Sequence, residues 1–294
     1  MAASIRPRRS ALYIPGSNSR ALSRGREVPA DILLLDLEDA IVPDQKIKAR
    51  DQVVAAVASN KYRPREVVVR INDLNSPWGE DDLAAVAASK ADAVLLPKVE
   101  SSDLVQKVAE RLTSFGAAES LAIWCMMETP RGILNAAAIA AASPRLSCLV
   151  MGTSDLAKDL HARHTRDRLP FMASMELCIL AARANGLSVL DGVCLDLEDT
   201  EGFAEQCHQG VALGFDGKTL IHPKTIDVAN KIFGPSEQEV EEARKIIAAF
   251  FAAREKGQGV VLFNGKLIES LHVENAQRLV SLAESIAQIK TATP

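Results

Sequence analysis

The chain has 294 residues, 34 basic and 38 acidic side chains for a net charge of −4, and is 48% hydrophobic but only 4% aromatic. That balance leaves no general nucleic-acid footprint, and no apolar run reaches the roughly 18 residues needed to cross a membrane. The five cysteines (Cys125, Cys148, Cys178, Cys194, Cys207) are odd in number and scattered without a C-x-x-C pair, which excludes a disulfide framework and points to the reducing cytoplasm.

A chain rich in Ala, Val, Leu and Ile suits a parallel sheet wrapped in helices, and this length suits one α/β barrel of about 250 residues plus extensions. The N-terminus is dense in arginine (Arg6, Arg8, Arg9, Arg20, Arg24, Arg26) but lacks the apolar core of a signal peptide. Residues 10–15 read as a short buried strand closed by Pro15-Gly16, and 17–26 as a loop leading into a polar helix. The run 31–36 (DILLLD) is a second strand, ending in Leu37-Glu38-Asp39. The segment 43–59 is helical, with Val53, Val54 and Val57 on its buried face. A third strand at 66–71 ends on Arg70-Ile71-Asn72, and 81–89 is helical. A fourth strand at 93–96 ends at Pro97-Lys98, and 102–112 is helical.

Two stretches then end abruptly at acids: LAIWCMMETPRG (121–132) at Glu128, and SCLVMGTSDLA (147–157) at Asp155, with a helix at 134–142 between them. A helix at 170–185 is closed by Gly186, a seventh strand covers 187–191, a helix 203–213, and an eighth strand 214–221 ends at His222-Pro223. Eight strands with intervening helices and short connections predict a (β/α)8 TIM barrel, with a doubly wound open sheet as the alternative. Beyond it lie a helix at 236–256, an extended pair at 259–268 around an Asn264-Gly265 turn, and a helix at 274–289. The expected division is a catalytic barrel at 1–235 and a helical and extended C-terminal tail at 236–294.

All strand carboxyl ends share one face of such a barrel. Collected there are Pro15 and Gly16, Asp36, Glu38, Asp39, Arg70, Lys98, Glu128, Asp155, Asp191 and His222. Glu128 and Asp155 form an oxygen-rich pair suited to Mg2+, which takes one or two protein carboxylates and leaves its other positions to water and substrate. Read as helix caps, the same two acids are merely structural. In the metal reading Glu38 or Asp39 accepts from metal-bound water, Arg70 is a fork for a carboxylate or enolate oxygen, and the backbone amides of Gly152, Thr153 and Ser154 seat a substrate carboxylate. His161 and His164 lack a metal-ligand partner, Ser154 lacks an activating His/Asp pair, and His222 reads as a hydrogen-bonded structural histidine.

In order along the chain, RSALYIPGS, ADILLLDLEDAIVPDQK, VVVRIN with SPWGEDDL, AVLLPKVE, METPRGILN, MGTSDLAKD, GLSVLDG and GFDGKTLIHP resemble the citrate lyase β-subunit-like proteins over nearly the whole length. The resemblance implies a Mg2+-dependent (β/α)8 barrel, commonly a trimer, that cleaves or forms carbon–carbon bonds in 3-hydroxyacyl thioesters. It makes Glu128 and Asp155 the metal ligands and Arg70 the substrate arginine, and it leaves Lys98 and the N-terminal arginines to meet CoA phosphates or solvent. Lyases of that family take their proton-transfer aspartate from a C-terminal segment of a neighbouring subunit; the matching stretch here, GVVLFNGKLIES, places Glu269 there. The leading expectation is therefore a cytoplasmic homotrimeric lyase with a CoA-thioester substrate, citramalyl-CoA first and malyl-, methylmalyl- or citryl-CoA next. A thioesterase on the same scaffold, the β subunit of a citrate lyase complex, and last a non-catalytic binding module are the alternatives.

Overall fold

The computed structural model describes residues 6–255, 257 and 259–292. Eight parallel strands close into a barrel in sequence order: β1 (Ser10–Pro15), β2 (Ile32–Asp36), β3 (Glu66–Arg70), β4 (Ala93–Leu96), β5 (Ala122–Met127), β6 (Leu146–Met151), β7 (Ser188–Asp191) and β8 (Gly217–Leu220), with β8 pairing back onto β1. The outer layer and its connections comprise α1 (Ser19–Arg24), α2 (Lys46–Ala58), α3 (Gly79–Ala87), α4 (Ser102–Ser114), α5 (Pro130–Leu134), α6 (Ala136–Ala140), α7 (Thr153–Leu160), α8 (Met172–Ala184), α9 (Thr200–Leu213) and α10 (Ile226–Phe233). The barrel expectation holds because strands such as ILLLD are buried on both faces and read as continuous apolar runs.

Alternation decides which side chains enter the barrel. Ile32, Leu34, Val68, Ala93, Leu95, Trp124, Met126, Cys148, Val150 and Leu190 form one interior cluster. Two residues further along the same inward columns stand Asp36 on β2, Arg70 on β3, Glu128 after β5 and Gly152 after β6. The polar mouth therefore continues the core's own period of two. At the opposite end the Arg8 guanidinium stacks 4.9 Å from the Trp124 ring and holds both Glu66 carboxylate oxygens at 2.8 Å, closing the floor. Arg8 reaches that place because β8 opens on Gly217, where a Cβ would lie 1.9 Å from the Arg8 carbonyl oxygen.

Several element bounds differ from expectation. The helix expected at 134–142 is two short ones broken at Asn135, because Thr129 caps a turn that starts earlier, its Oγ1 accepting from Gly132 N at 3.0 Å. Asp191, counted at the mouth, faces away from it: Leu190 points inward, so its neighbour points out. There Asp191 is fully buried between Lys218 Nζ at 2.9 Å and Arg168 Nη1 at 2.6 Å. Burial works to raise its pKa, but the two cations outweigh that and hold the carboxyl below its ordinary range.

The barrel unit spans residues 8–230, and a second unit is formed chiefly by residues 231–294. The latter contains α11 (Glu237–Glu255), the antiparallel pair β9 (Val261–Phe263) and β10 (Lys266–Ile268), and α12 (Ser270–Ala292), which begins four residues before the expected helix at 274. Lys256, the expected end of the preceding helix, lies outside the described residues. Asn264 and Gly265 both have positive φ (49° and 75°), the two-residue turn that matches hairpin twist. Phe250, Ile268 and Val273 form its buried cluster. Among the described residues no helix is long and apolar enough to cross a membrane.

Candidate active site

The β2 and β3 exits meet at Arg70. Its Nε and Nη2 each donate at 2.7 Å to the two oxygens of Asp36, a bidentate pair, and Nη1 lies 3.1 Å from Asp39 Oδ2 and 2.8 Å from Glu38 Oε2. Tyr13 stacks under the guanidinium at 4.9 Å. In the structure the Arg70 fork is closed on Asp36, and Arg70 borders the mouth cavity with Asp39 beside it. Glu38 Oε2, despite its short charge contact, has no aligned hydrogen bond among the described residues. Burial first, with Asp39 and Asp36 adding to it against Arg70 and Lys98, pushes the Glu38 carboxyl up to about 7. Glu38 is buried in contact with both Arg70 and Lys98 and is not among the residues that line the cavity. Asp39 does line it, with a half-exposed side chain.

Glu128 ends the inward column of β5 and is 2% exposed. Its Oε1 accepts from Lys98 N at 2.8 Å, an amide aimed there by a left-handed backbone at Lys98 (φ 48°). Burial, partly offset by that bond, pushes Glu128 up to about 8. The Lys98 ammonium reaches Glu38 Oε1 at 3.4 Å. Asp155 comes from the first turn of α7, four residues past β6, so its carboxylate and the opening amides of that helix border the same cavity as Glu128. A buried carboxylate with one hydrogen-bond donor, facing a cavity it shares with a second carboxylate, fits a hard divalent cation, and the oxygen-only donor set fits Mg2+. Among the described residues no group of three or more His, Cys, Asp or Glu side chains forms a closed metal cage. Two protein carboxylates would leave coordination positions to a ligand.

Gly152 is what lets Glu128 stand where it does. A Cβ there would lie 2.4 Å from both Glu128 Cβ and Glu128 Oε2. Gly152→Ala is therefore expected to displace the carboxylate and lower turnover about 10- to 100-fold, since a shift of about 1 Å at a reacting centre costs up to about 10²-fold. Steady-state kinetics over a Mg2+ titration checks this: unchanged activity at every Mg2+ concentration would remove Glu128 from the metal site.

The cavity holds about 390 Å³ and is lined by Tyr13, Asp36, Asp39, Arg70, Glu128, the segment Met151–Asp155, Val193, Leu195, Thr219 and Ile221. Of the expected residues, the structure brings together Pro15, Asp36, Asp39, Arg70, Glu128, Gly152, Thr153, Ser154 and Asp155. Glu269 comes directly after β10 in the C-terminal unit, exposed, with its backbone N–H donating to His272 Nδ1 at 3.1 Å. His222 is exposed and its Nδ1 accepts from Lys224 N at 3.1 Å, a cap on the next turn of the chain. Sequence reasoning missed Val193 and Leu195, carried on the loop after β7, and Tyr13, whose inward parity on β1 was the available signal.

A closed parallel barrel with an acidic mouth built on its strand ends, two of those acids fit for a divalent cation, defines a (β/α)8-barrel enzyme. The chain belongs to the HpcH/HpaI aldolase/citrate lyase family, which matches residues 9–223. It is 47% identical to a (3S)-malyl-CoA thioesterase of Cereibacter sphaeroides over 98% of both chains, and 34% identical to citrate lyase subunit beta of Escherichia coli over 95% of this chain and 94% of that one. Among solved structures it is similar to CitE from Mycobacterium tuberculosis in complex with magnesium, acetoacetate and coenzyme A, at 31% identity and a TM-score of 0.72 over 94% of this chain and 97% of that one. A second structure, citrate lyase beta subunit from M. tuberculosis with oxaloacetate and magnesium, matches at 31% identity and a TM-score of 0.68 over 80% of this chain and 100% of that one.

Proposed function

We propose that this chain is a Mg2+-dependent thioesterase that hydrolyses a short 3-hydroxyacyl-CoA of the (3S)-malyl-CoA kind. The observation that carries the reading is the mouth cavity itself, where Glu128, Asp155, Arg70 and the start of α7 converge, in a chain similar from end to end to a malyl-CoA thioesterase. Glu128 and Asp155 would hold the Mg2+, which when bound supplies positive charge against the substrate's carboxylate and carbonyl oxygens. The backbone N–H groups at the start of α7 receive the acyl carboxylate, favoured by the helix dipole. Asp39, steadied by Arg70 Nη1, accepts a proton from water as the water oxygen bonds to the thioester carbon. The carbon–sulfur bond then breaks and CoA departs as the thiol, taking up that proton.

Similarity to citrate lyase subunit beta supports a second reading, carbon–carbon cleavage of the same class of substrate, with citramalyl-CoA as the first candidate. Mass spectrometry of products separates the two. Hydrolysis of malyl-CoA releases malate and free CoA, whereas cleavage releases acetyl-CoA and a 2-oxo acid. Malate with Mg2+ and none in EDTA is the expected result; a 2-oxo acid from malyl- or citramalyl-CoA without free acyl acid would replace the thioesterase by the lyase.

We also propose a cytoplasmic homotrimer in which residues 236–294 of one subunit serve the mouth of a neighbour and deliver Glu269 as the proton-transfer acid that relays the proton from Asp39 to the departing sulfur. The support is the resemblance of 259–270 to the family's acid-bearing segment, and the five unpaired thiols suit that compartment. Mixing inactive Glu269→Gln subunits with inactive Glu128→Ala subunits is then expected to restore part of the activity, because a mouth with intact ligands meets an intact tail. A monomer by light scattering, or no activity after demonstrated subunit exchange, would end the shared-site idea.

A further inference from the structure

Lys46 opens α2 where an ammonium is rarely found, 6% exposed beneath the β2 and β3 exits. Its Nζ donates to Leu37 O at 2.9 Å, Glu38 O at 2.7 Å and Asn72 Oδ1 at 2.6 Å, which engages all three of its N–H bonds. The Trp78 ring covers it at 5.5 Å. Asn72 is held in turn, since its backbone N–H and Nδ2 donate to Asp82 Oδ2 at 3.1 and 2.6 Å, and Arg50 Nε donates to Asp82 Oδ1 at 2.6 Å. Lys46 itself does not line the mouth cavity.

The placement of these bonds gives the lysine its significance. Both carbonyls belong to the backbone that presents Glu38 and Asp39, and Asn72 stands two residues beyond Arg70. One buried ammonium therefore ties together the two exits whose side chains make up the Arg70 cluster. A buried charge is costly unless fully paired, and Ala49, Val53 and Val57 bury the same helix face without one. The charge thus serves the loop above it rather than the packing below.

We infer that Lys46 is a positioning residue that sets Asp39 and Arg70 at the mouth by clamping the β2 and β3 exits to each other. The inference rests on the mouth being the reacting site, as proposed above. Its test therefore has one arm that depends on turnover and one that does not. In full-length Lys46→Met protein, kcat and KM are measured on the CoA thioester that wild type turns over. The Arg70 Nε–H resonance is followed by NMR after 15N-arginine labelling, assigned by its loss in Arg70→Lys. Expected are a fall in kcat of about 10²-fold, a KM within about threefold of wild type, and a moved or missing Arg70 resonance. An unchanged kcat with the resonance in place overturns the inference, and so does a lower kcat with an unmoved resonance. A raised KM at full kcat would also overturn it, since that marks ground-state binding. Should Lys46→Met not fold, Asn72→Ser keeps the two carbonyl bonds and cuts the third; about a 10-fold lower kcat with a shifted resonance is expected, and neither change would overturn the inference. Wild type inactive on malyl-, citramalyl-, methylmalyl- and citryl-CoA would fail the functional reading alone, and the resonance would still decide the role of Lys46.

Discussion

Glu128→Gln is expected to lose Mg2+-dependent turnover by on the order of 10³-fold while making the metal-free protein more resistant to heat at pH 8. The two effects have one cause. Burial pushes the folded-state pKa of Glu128 up to about 8, so the folded protein keeps a proton that the unfolded chain releases at its ordinary carboxyl value of 4.5. Because the folded state binds more protons across that window, stability falls as pH rises from about 4.5 to 8, by at most about 1.4 kcal/mol per pH unit for this group. A buried amide has no proton to lose and flattens the slope. With Glu128 as the proposed ligand, Mg2+ is expected to reverse the sign for wild type: binding would displace the proton, so affinity should rise up to about tenfold per unit between pH 6 and 8. Thermal melts at several pH values, with Mg2+ and with EDTA, measure both. Equal slopes in wild type and variant would mean that Glu128 is already ionised without metal.

Arg70→Lys is expected to cost about 10²-fold in kcat although the charge is kept. The guanidinium holds Asp36 with two parallel bonds and still reaches Asp39 and Glu38 from its other nitrogen. An ammonium is a single point and cannot span those acids in one plane. Asp39 should then lose its fixed direction and turnover should fall before folding does. Removing the charge with Arg70→Met leaves Asp36 buried without its partner and is expected to cost about 3–5 kcal/mol of stability. Kinetics beside urea titrations separate the two variants. A lysine variant of near-normal kcat would take Arg70 out of the chemistry.

Much of this arrangement is written in the apolar runs. Except at β7, a strand that stops at an acid or a glycine announces mouth residues, which makes Glu128, Asp155, Asp39 and the Gly152–Ser154 amides legible. Facing is harder to read. The β7 segment SVLD is buried on both sides, so hydrophobicity does not mark which side is interior, and strand position alone puts Asp191 on the wrong face. The closure of Arg70 on Asp36 is hidden because the two residues are 34 positions apart and meet only through the β2–β3 register. Lys46 does leave a trace: it shares the buried face of α2 with Ala49, Val53 and Val57, an odd place for a charge, and only the fold shows which carbonyls it meets. The break at Asn135 comes from a local cap at Thr129 that outcompetes a longer helix.

The continuation of the inward columns into the mouth limits how such a protein can change. Inserting or deleting a single residue within β2, β3 or β5 would rotate Asp36, Arg70 or Glu128 outward and turn an apolar partner of the core out with it, so site and scaffold would fail together. Strand length is thereby frozen, and new substrates can be reached only by exchanging loop residues beyond the last inward position of each strand. Val193 and Leu195, carried on the loop after β7 and bordering the cavity, belong to that freely variable stock. A library confined to those positions should stay folded while its acyl preference drifts. One that alters strand lengths should yield aggregates rather than new specificities.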